Sequence, residues 1–296
     1  MLEIIFALLF LLLRILLIGS ERIFLTKNKL GKYDSITIAS LFFLFATILL
    51  LPGLLLVPFT AYTAQSLLEL RFSALSSIFY SIGFYTYVKA LSEEDASLIA
   101  PLYNSSLLWL FILSALFLQD NITVIRVAGA LMMFIGFFFL YSGSFKEKIK
   151  TIKSSKGSLL MIFGSLFLAV GRTIDAYAIA NANEILYAIS MNFFVGFYLF
   201  IIVLLGKKFN VVKEVIIYDK KNIFYASLAN GWAYLFLLLA IMGLQVTIAE
   251  PASLLSIFVT ALLAKKFLGE EIKERIPGSI IIILGSLLLL IEKILQ

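Results

Sequence analysis

Apolar runs of about 20 residues recur along the chain, separated by short polar or charged connections, and no polar stretch is long enough for a soluble domain. A helix rises about 1.5 Å per residue and the hydrocarbon core of a bilayer is about 30 Å thick, so each run is long enough to cross a membrane. The pattern predicts ten helical spans, near 4–26, 35–57, 72–91, 96–118, 124–142, 158–180, 185–206, 222–243, 247–268 and 276–294. Two connections are longer and basic: FKEKIKTIKSSKG at 145–157, read as a loop, and GKKFNVVKEVIIYDKKN at 206–222, which has room for a short interfacial helix.

The fourth and ninth runs are two copies of one stretch. Shifted by 150, Ala90 falls on Ala240, Pro101 on Pro251, Ser106 on Ser256, Phe117-Leu118 on Phe267-Leu268, Asp120 on Glu270 and Ile122 on Ile272. At a shift of 149, Arg126, Gly129 and Gly136 fall on Arg275, Gly278 and Gly285. The chain therefore divides into a first five-helix repeat at 1–143, a basic connection at 144–157 and a second repeat at 158–296. Five helices is an odd number, so the second half must enter the membrane upside down. The expected fold is an all-α membrane protein of ten transmembrane helices in two inverted repeats, a design common among secondary transporters.

Composition agrees with lipid as the solvent: 62% of residues are hydrophobic and 14% charged, against roughly 45–50% and about 25% in soluble domains. Cysteine and histidine are both absent, which excludes disulfides, thiol catalysis and the commonest metal ligand, and leaves Asp and Glu to carry any protonation switch. No cofactor or metal is expected. No GxxxxGK[ST] loop occurs, so direct coupling to nucleotide hydrolysis is not expected either. The first run has no small-residue cleavage site and reads as a retained helix. Connections after the odd-numbered spans hold 18 Lys and Arg, and the opposite side holds Arg71, Arg126 and Lys293. The positive-inside rule then makes the lysine-rich loops cytoplasmic and puts both termini outside; it also accounts for the net charge of +6 without nucleic acid.

Ionisable side chains inside a membrane are costly and mark candidate sites. Span 1 carries Arg14, Glu21 and Arg22, and its equivalent, span 6, carries Arg172 and Asp175. Arg172 and Asp175 are i,i+3 neighbours on one helical face and can pair, which would lower the cost of insertion. Glu21 and Arg22 are adjacent, cannot face the same way, and each needs a partner elsewhere. Glu250, beside Pro251 in the opening turn predicted for span 9, reads either as an interfacial helix cap or as a site acid. A second class of polarity gathers on equivalent helix pairs: Tyr80 and Tyr85 on span 3, Asn104, Ser105 and Trp109 on span 4, Asn230, Trp232 and Tyr234 on span 8, and Ser253 and Ser256 on span 9. Such rings, hydroxyls and amides can line a cavity for small amphiphilic solutes, or bond within their own helices. The glycine pairs Gly129/Gly136 and Gly278/Gly285 lie two turns apart, which lets a neighbouring backbone approach closely.

These features resemble EamA-type members of the drug/metabolite transporter superfamily over nearly the whole chain. The family's helix ending stands here as Phe267-Leu268-Gly269-Glu270-Glu271, and in degraded form as Phe117-Leu118-Gln119-Asp120. Ile257 and Leu107 replace a proline common midway through that helix. The resemblance implies a cavity between the halves lined mainly by spans 1, 3, 4, 6, 8 and 9, and export of amino acids or related metabolites. Family members usually keep their termini in the cytoplasm, opposite to the lysine count here. The resulting expectation is a plasma- or inner-membrane secondary transporter working by alternating access, without enzymatic activity. A proton or sodium gradient is a candidate driving force, and Asp175, Glu250 and Glu21 are the carboxylates available for proton coupling. Exchange of an anionic or nucleotide-linked metabolite stays open, as do a non-transporting membrane subunit and a membrane-embedded transferase. Oligomeric state is not encoded in any of these patterns.

Overall fold

A computed structural model describes residues 2–26, 29–58, 64–103, 105–117, 123–139, 145–269, 273 and 276–295, and no strand occurs among them. The first part of the chain forms α1 (Leu2–Leu25), α2 (Ser35–Leu50), α3 (Ala64–Glu93), α4 (Ala96–Tyr103), α5 (Ser106–Phe117) and α6 (Val124–Phe138). The second forms α7 (Phe145–Ser154), α8 (Lys156–Ala178), α9 (Glu184–Leu205), α10 (Phe209–Tyr218), α11 (Lys220–Gly243), α12 (Val246–Ala252), α13 (Ser256–Leu268) and α14 (Ile276–Leu295). Six helical stretches among the described residues are long and apolar enough to cross a membrane: 3–25, 35–56, 156–178, 184–205, 220–243 and 248–268. The helix starts follow local chemistry. Asp34, Ser155 and Asn183 each accept a hydrogen bond from a first-turn amide of α2, α8 and α9, satisfying donors that have no helical partner. Pro52 lacks an amide hydrogen, so the α-helical pattern of α2 ends at Leu50 and the chain tightens into a 3-10 turn over Leu51–Leu56.

Three local expectations change. The basic 145–157 segment is not a loop: its Phe, Ile and Lys spacing forms the amphipathic helix α7. Span 3 begins earlier than its apolar run, at Ala64. Spans 4 and 9 are each divided, into α4 and α5 and into α12 and α13, with a 3-10 turn over Ser253–Leu255 between the latter two. Pro251 consequently lies in the interior of α12, not in its opening turn. The expected short helix in 206–222 is present as α10.

The contacts between helices repeat across the molecule. The pairing of α3 with α8 is matched by that of α1 with α11, and the pairing of α5 with α8 by that of α1 with α13. Likewise α3 meets α9 as α11 meets α2, while α2 packs along α9 and α6 along α14. In α1 the outward stripe Ile5, Leu9, Leu12 and Leu16 is exposed, whereas Ala7, Leu11, Arg14, Ile18, Glu21 and Arg22 are buried. This reverses the amphipathy of a soluble helix, as lipid on the outside and polar groups inside require.

The α6–α14 contact is apolar and close. A Cβ at Gly285 would lie 2.7 Å from the Gly129 carbonyl oxygen and 2.6 Å from Met133 Cγ. A Cβ at Gly136 would lie 3.0 Å from the Gly278 oxygen and 2.8 Å from Ile282 Cγ1. The two glycine pairs thus pack against each other, each providing the space the other helix occupies. At the helix ends, Lys208 Nζ pairs with Asp34 at 2.6 Å and Lys32 Nζ with Asp219 at 2.7 Å, tying the α1–α2 connection to the flanks of α10. Arg126, counted with the loops by the sequence pattern, is buried and donates to Gln245 Oε1.

Candidate functional site

The polar side chains of α1 and α8 meet those of α4, α5, α12 and α13 in the middle of the chain's core. Arg22 Nη1 donates to Ser256 Oγ at 3.4 Å and to Thr260 Oγ1 at 3.2 Å. Arg172 Nη1 donates to Ser106 Oγ at 3.1 Å, and its Nη2 to the Tyr103 hydroxyl. Arg22 and Arg172 are 150 positions apart, as are Ser106 and Ser256, so the repeat register that relates the helices also relates these two bonds. Both guanidinium carbons lie over the Tyr103 ring, at 5.5 and 5.1 Å from its centroid, within cation–π range.

Glu250 lies between two of the arginines. Its Oε1 is 2.7 Å from Arg172 Nε and its Oε2 is 3.5 Å from Arg14 Nη2. Arg14 also donates through Nε to Ser253 Oγ at 2.9 Å and through Nη1 to the Ala233 carbonyl at 3.1 Å. Glu250 is 5% exposed and bound to cations, so it acts as an internal counter-ion and not as an interfacial helix cap. The Arg172–Asp175 pair that the spacing allows does not form. One turn of helix sends the longer Arg172 side chain towards α4, α5 and α12, while Asp175 faces α3, α9 and α11.

Asp175 is solvated by phenols. The hydroxyls of Tyr80 and Tyr234 donate to Oδ2 at 2.6 and 2.5 Å, and that of Tyr187 donates to Oδ1 at 2.8 Å. Three donors on three helices replace the water a carboxylate would otherwise need. Glu21 Oε1 accepts from the Tyr87 hydroxyl at 3.3 Å, giving Glu21 and Arg22 the separate partners their adjacency requires. Asn230 Nδ2 donates to Asn192 Oδ1 at 3.3 Å.

A small cavity of about 20 Å³ opens between these groups, lined by residues that include Arg14, Glu21, Tyr80, Tyr103, Arg172, Asn230 and Tyr234. That is room for about one water molecule, so the polar centre is closed around itself. Three arginines and three carboxylates balance when ionised, and at the low effective dielectric of a membrane interior each depends on the others.

Of the candidates named from sequence, Glu21, Arg22, Tyr80, Arg172, Asp175, Asn230, Tyr234, Glu250, Ser253 and Ser256 come together here. Ser105 instead bonds Leu102 O and Ser165 Oγ, Trp109 is 41% exposed on the outer surface, and Trp232 packs on Phe236. Tyr85 is half-buried against the apolar core, and Asn104 lies outside the described residues. Tyr103, Tyr187 and Asn192 were not singled out by sequence. Tyr103 had a signal, since it falls on Ser253 at the shift of 150; Tyr187 and Asn192 had none. Among the described residues no cluster of three metal-ligating side chains occurs.

An apolar shell of helices around a buried, charge-balanced centre defines a polytopic membrane protein. More particularly, residues 5–142 match the model of the EamA-like transporter family, in line with the drug/metabolite transporter resemblance. No curated protein sequence matches. One solved crystal structure, of a protein whose description carries no function, is similar over 97% of this chain and 95% of its own, with a TM-score of 0.63 and 13% identity. At that identity the likeness speaks for the fold alone.

Proposed function

We propose that this protein is a secondary transporter of small organic solutes, amino-acid-like or related metabolites, that works by alternating access. Its ten spans form two inverted five-helix units, 1–143 and 158–296, joined by 144–157, which rock around the central polar cavity. One observation carries this reading: the Arg22–Ser256 and Arg172–Ser106 bonds, related by one shift of 150, each link the first helix of one half to the divided helix of the other. A rearrangement that opened one side of the centre would have an equivalent on the other. The matched helix contacts support the same symmetry. The cavity of about 20 Å³ is too small for a metabolite, so the halves must part to admit one. Lysine-rich loops in the cytoplasm place both termini outside, export is the direction the family likeness supports, and the carboxylates of the centre, Asp175 first, couple transport to a proton gradient.

The test is uptake into vesicles reconstituted with the purified protein. An imposed pH gradient should drive accumulation of a small metabolite by the wild type, and Asp175→Asn should abolish that drive while the protein stays folded. Unchanged pH-driven transport by Asp175→Asn would remove Asp175 from the mechanism. Absence of transport for every solute class would end the transporter reading. A reporter fused to the C-terminus reads the orientation separately.

A further inference from the structure

Two features of the arginine cluster are unusual for a purely structural ion network. Arg22, 1% exposed, has no carboxylate within ion-pair distance among the described residues, and its buried Nε has no hydrogen-bond partner. Glu250 is the sole carboxylate shared by Arg14 and Arg172 there, and it holds both poorly. The Oε2 contact is long at 3.5 Å, and the 2.7 Å contact of Oε1 with Arg172 Nε lies off the N–H direction, so Oε1 completes no hydrogen bond. A carboxylate selected only for stability would be expected to meet a guanidinium through two aligned bonds. Here it sits at the mouth of a clamp built from two cations, beside a third cation with unused donor capacity.

We propose that the transported solute carries an anionic group, a carboxylate or a phosphate, which displaces the Glu250 carboxylate from between Arg14 and Arg172 and takes up the spare charge of Arg22. Glu250 is then a resident stand-in for the solute: it keeps the guanidinium groups compensated when the site is empty and gives way when an anion arrives. The off-axis contacts fit this role, because a weakly directed internal pair leaves a ligand with better geometry a net gain. Tyr103, whose ring lies under Arg22 and Arg172, keeps the two cations converged on one locus while the counter-ion changes. This inference rests on the reading of the cavity as a solute site, and it narrows the solute class.

Binding can be tested without transport. The full chain, purified in detergent, is heated with increasing inorganic phosphate or acetate, and with choline or glycerol as cationic and neutral controls, at constant ionic strength. An anion that binds the folded state raises the unfolding temperature. The expected result is a rise with phosphate or acetate and none with choline or glycerol. In Glu250→Gln, which empties the clamp of its own carboxylate, half-saturation should come at about tenfold lower anion concentration. The more effective anion identifies phosphate or carboxylate as the group recognised. If Glu250→Gln does not fold, Glu250→Asp serves instead: its shorter carboxylate cannot bridge both guanidinium groups, so anion binding should again tighten. The proposal is overturned if the anions stabilise neither protein, if the variant responds no better than the wild type, or if choline or glycerol acts equally well. Failure of the transporter reading looks different: vesicles would move no solute of any charge while the anion response in detergent persisted.

Discussion

Two seams hold the helices of this protein together, and they do so by opposite physics. Between α6 and α14 the contact is dry and small-residue: Gly136 meets Gly278 and Ile282, and Gly285 meets Gly129 and Met133. Between α1, α8 and the divided helices the contact is made by Arg14, Arg22, Arg172 and Glu250, all buried. In lipid the first kind gains only dispersion and close fit, so it has one good arrangement and little reason to leave it. The second can exchange partners at nearly constant charge, so alternative arrangements lie closer in energy. The dry seam suits a scaffold and the charged seam suits a moving site. The sequence register runs through both, at 149 in the first and 150 in the second.

The strongest test removes one cation from the charged seam. Arg172→Gln leaves Glu250 with only its long contact to Arg14, and should cost about 3–5 kcal/mol of stability along with all transport, read by thermal unfolding and vesicle uptake. A result near zero would mean that the seam is not ionised as drawn. In the dry seam, Gly285→Leu drives a branched side chain into the Gly129 backbone and should cost about 1–3 kcal/mol. Both helices must part, so folded yield and transport should fall together; lost transport with unchanged stability would contradict the scaffold assignment.

Weaker effects belong at the edges. Burial alone would raise the Asp34 carboxyl, but Lys208 and the Thr37 donors outweigh it and hold Asp34 below its ordinary value. For Asp219 the same opposition, with Lys32, Tyr33 and Asn222 as the partners, has the same outcome. A depressed folded-state value means stability that is present above the unfolded-state pKa of about 3.9 and lost as pH falls through the folded-state value. The unfolding temperature should therefore fall on acidification below about pH 4, and Asp34→Asn should flatten that fall; an identical acid profile would exclude the pair. The smallest effect is expected for Trp109→Ala on the lipid-facing surface, within about 0.5 kcal/mol and with transport retained. A large loss there would return Trp109 to the candidate site.

Much of the centre was legible because charge inside an apolar run is rare and conspicuous. Glu21, Arg22, Arg172, Asp175 and Glu250 stand out on that ground alone, and all are buried. Hydroxyls and rings are less distinctive: Trp109 and Trp232 read like Tyr80 and Tyr234 in the sequence, yet only the tyrosines reach Asp175. Pro251 was read into the opening turn of an unbroken span, whereas it lies inside α12. The turn at Ser253–Leu255 follows the proline, where Ser253 bonds back to the Ala249 carbonyl.

By itself, the order of residues determined the lipid solvent, the helical class, the register between equivalent positions and the glycine pairs that share a helix face. These follow from composition and from periods of a few residues, which each helix carries locally. Which charge meets which was decided only by the tertiary structure. Arg14 and Ser253 are 239 positions apart, Tyr80 and Asp175 are 95 apart, and Arg172 passes over Asp175 one turn away to reach Glu250 on another helix. Side chains longer than the rise of a helical turn take their partners from whichever helices the packed bundle brings within reach, and no local pattern encodes that choice.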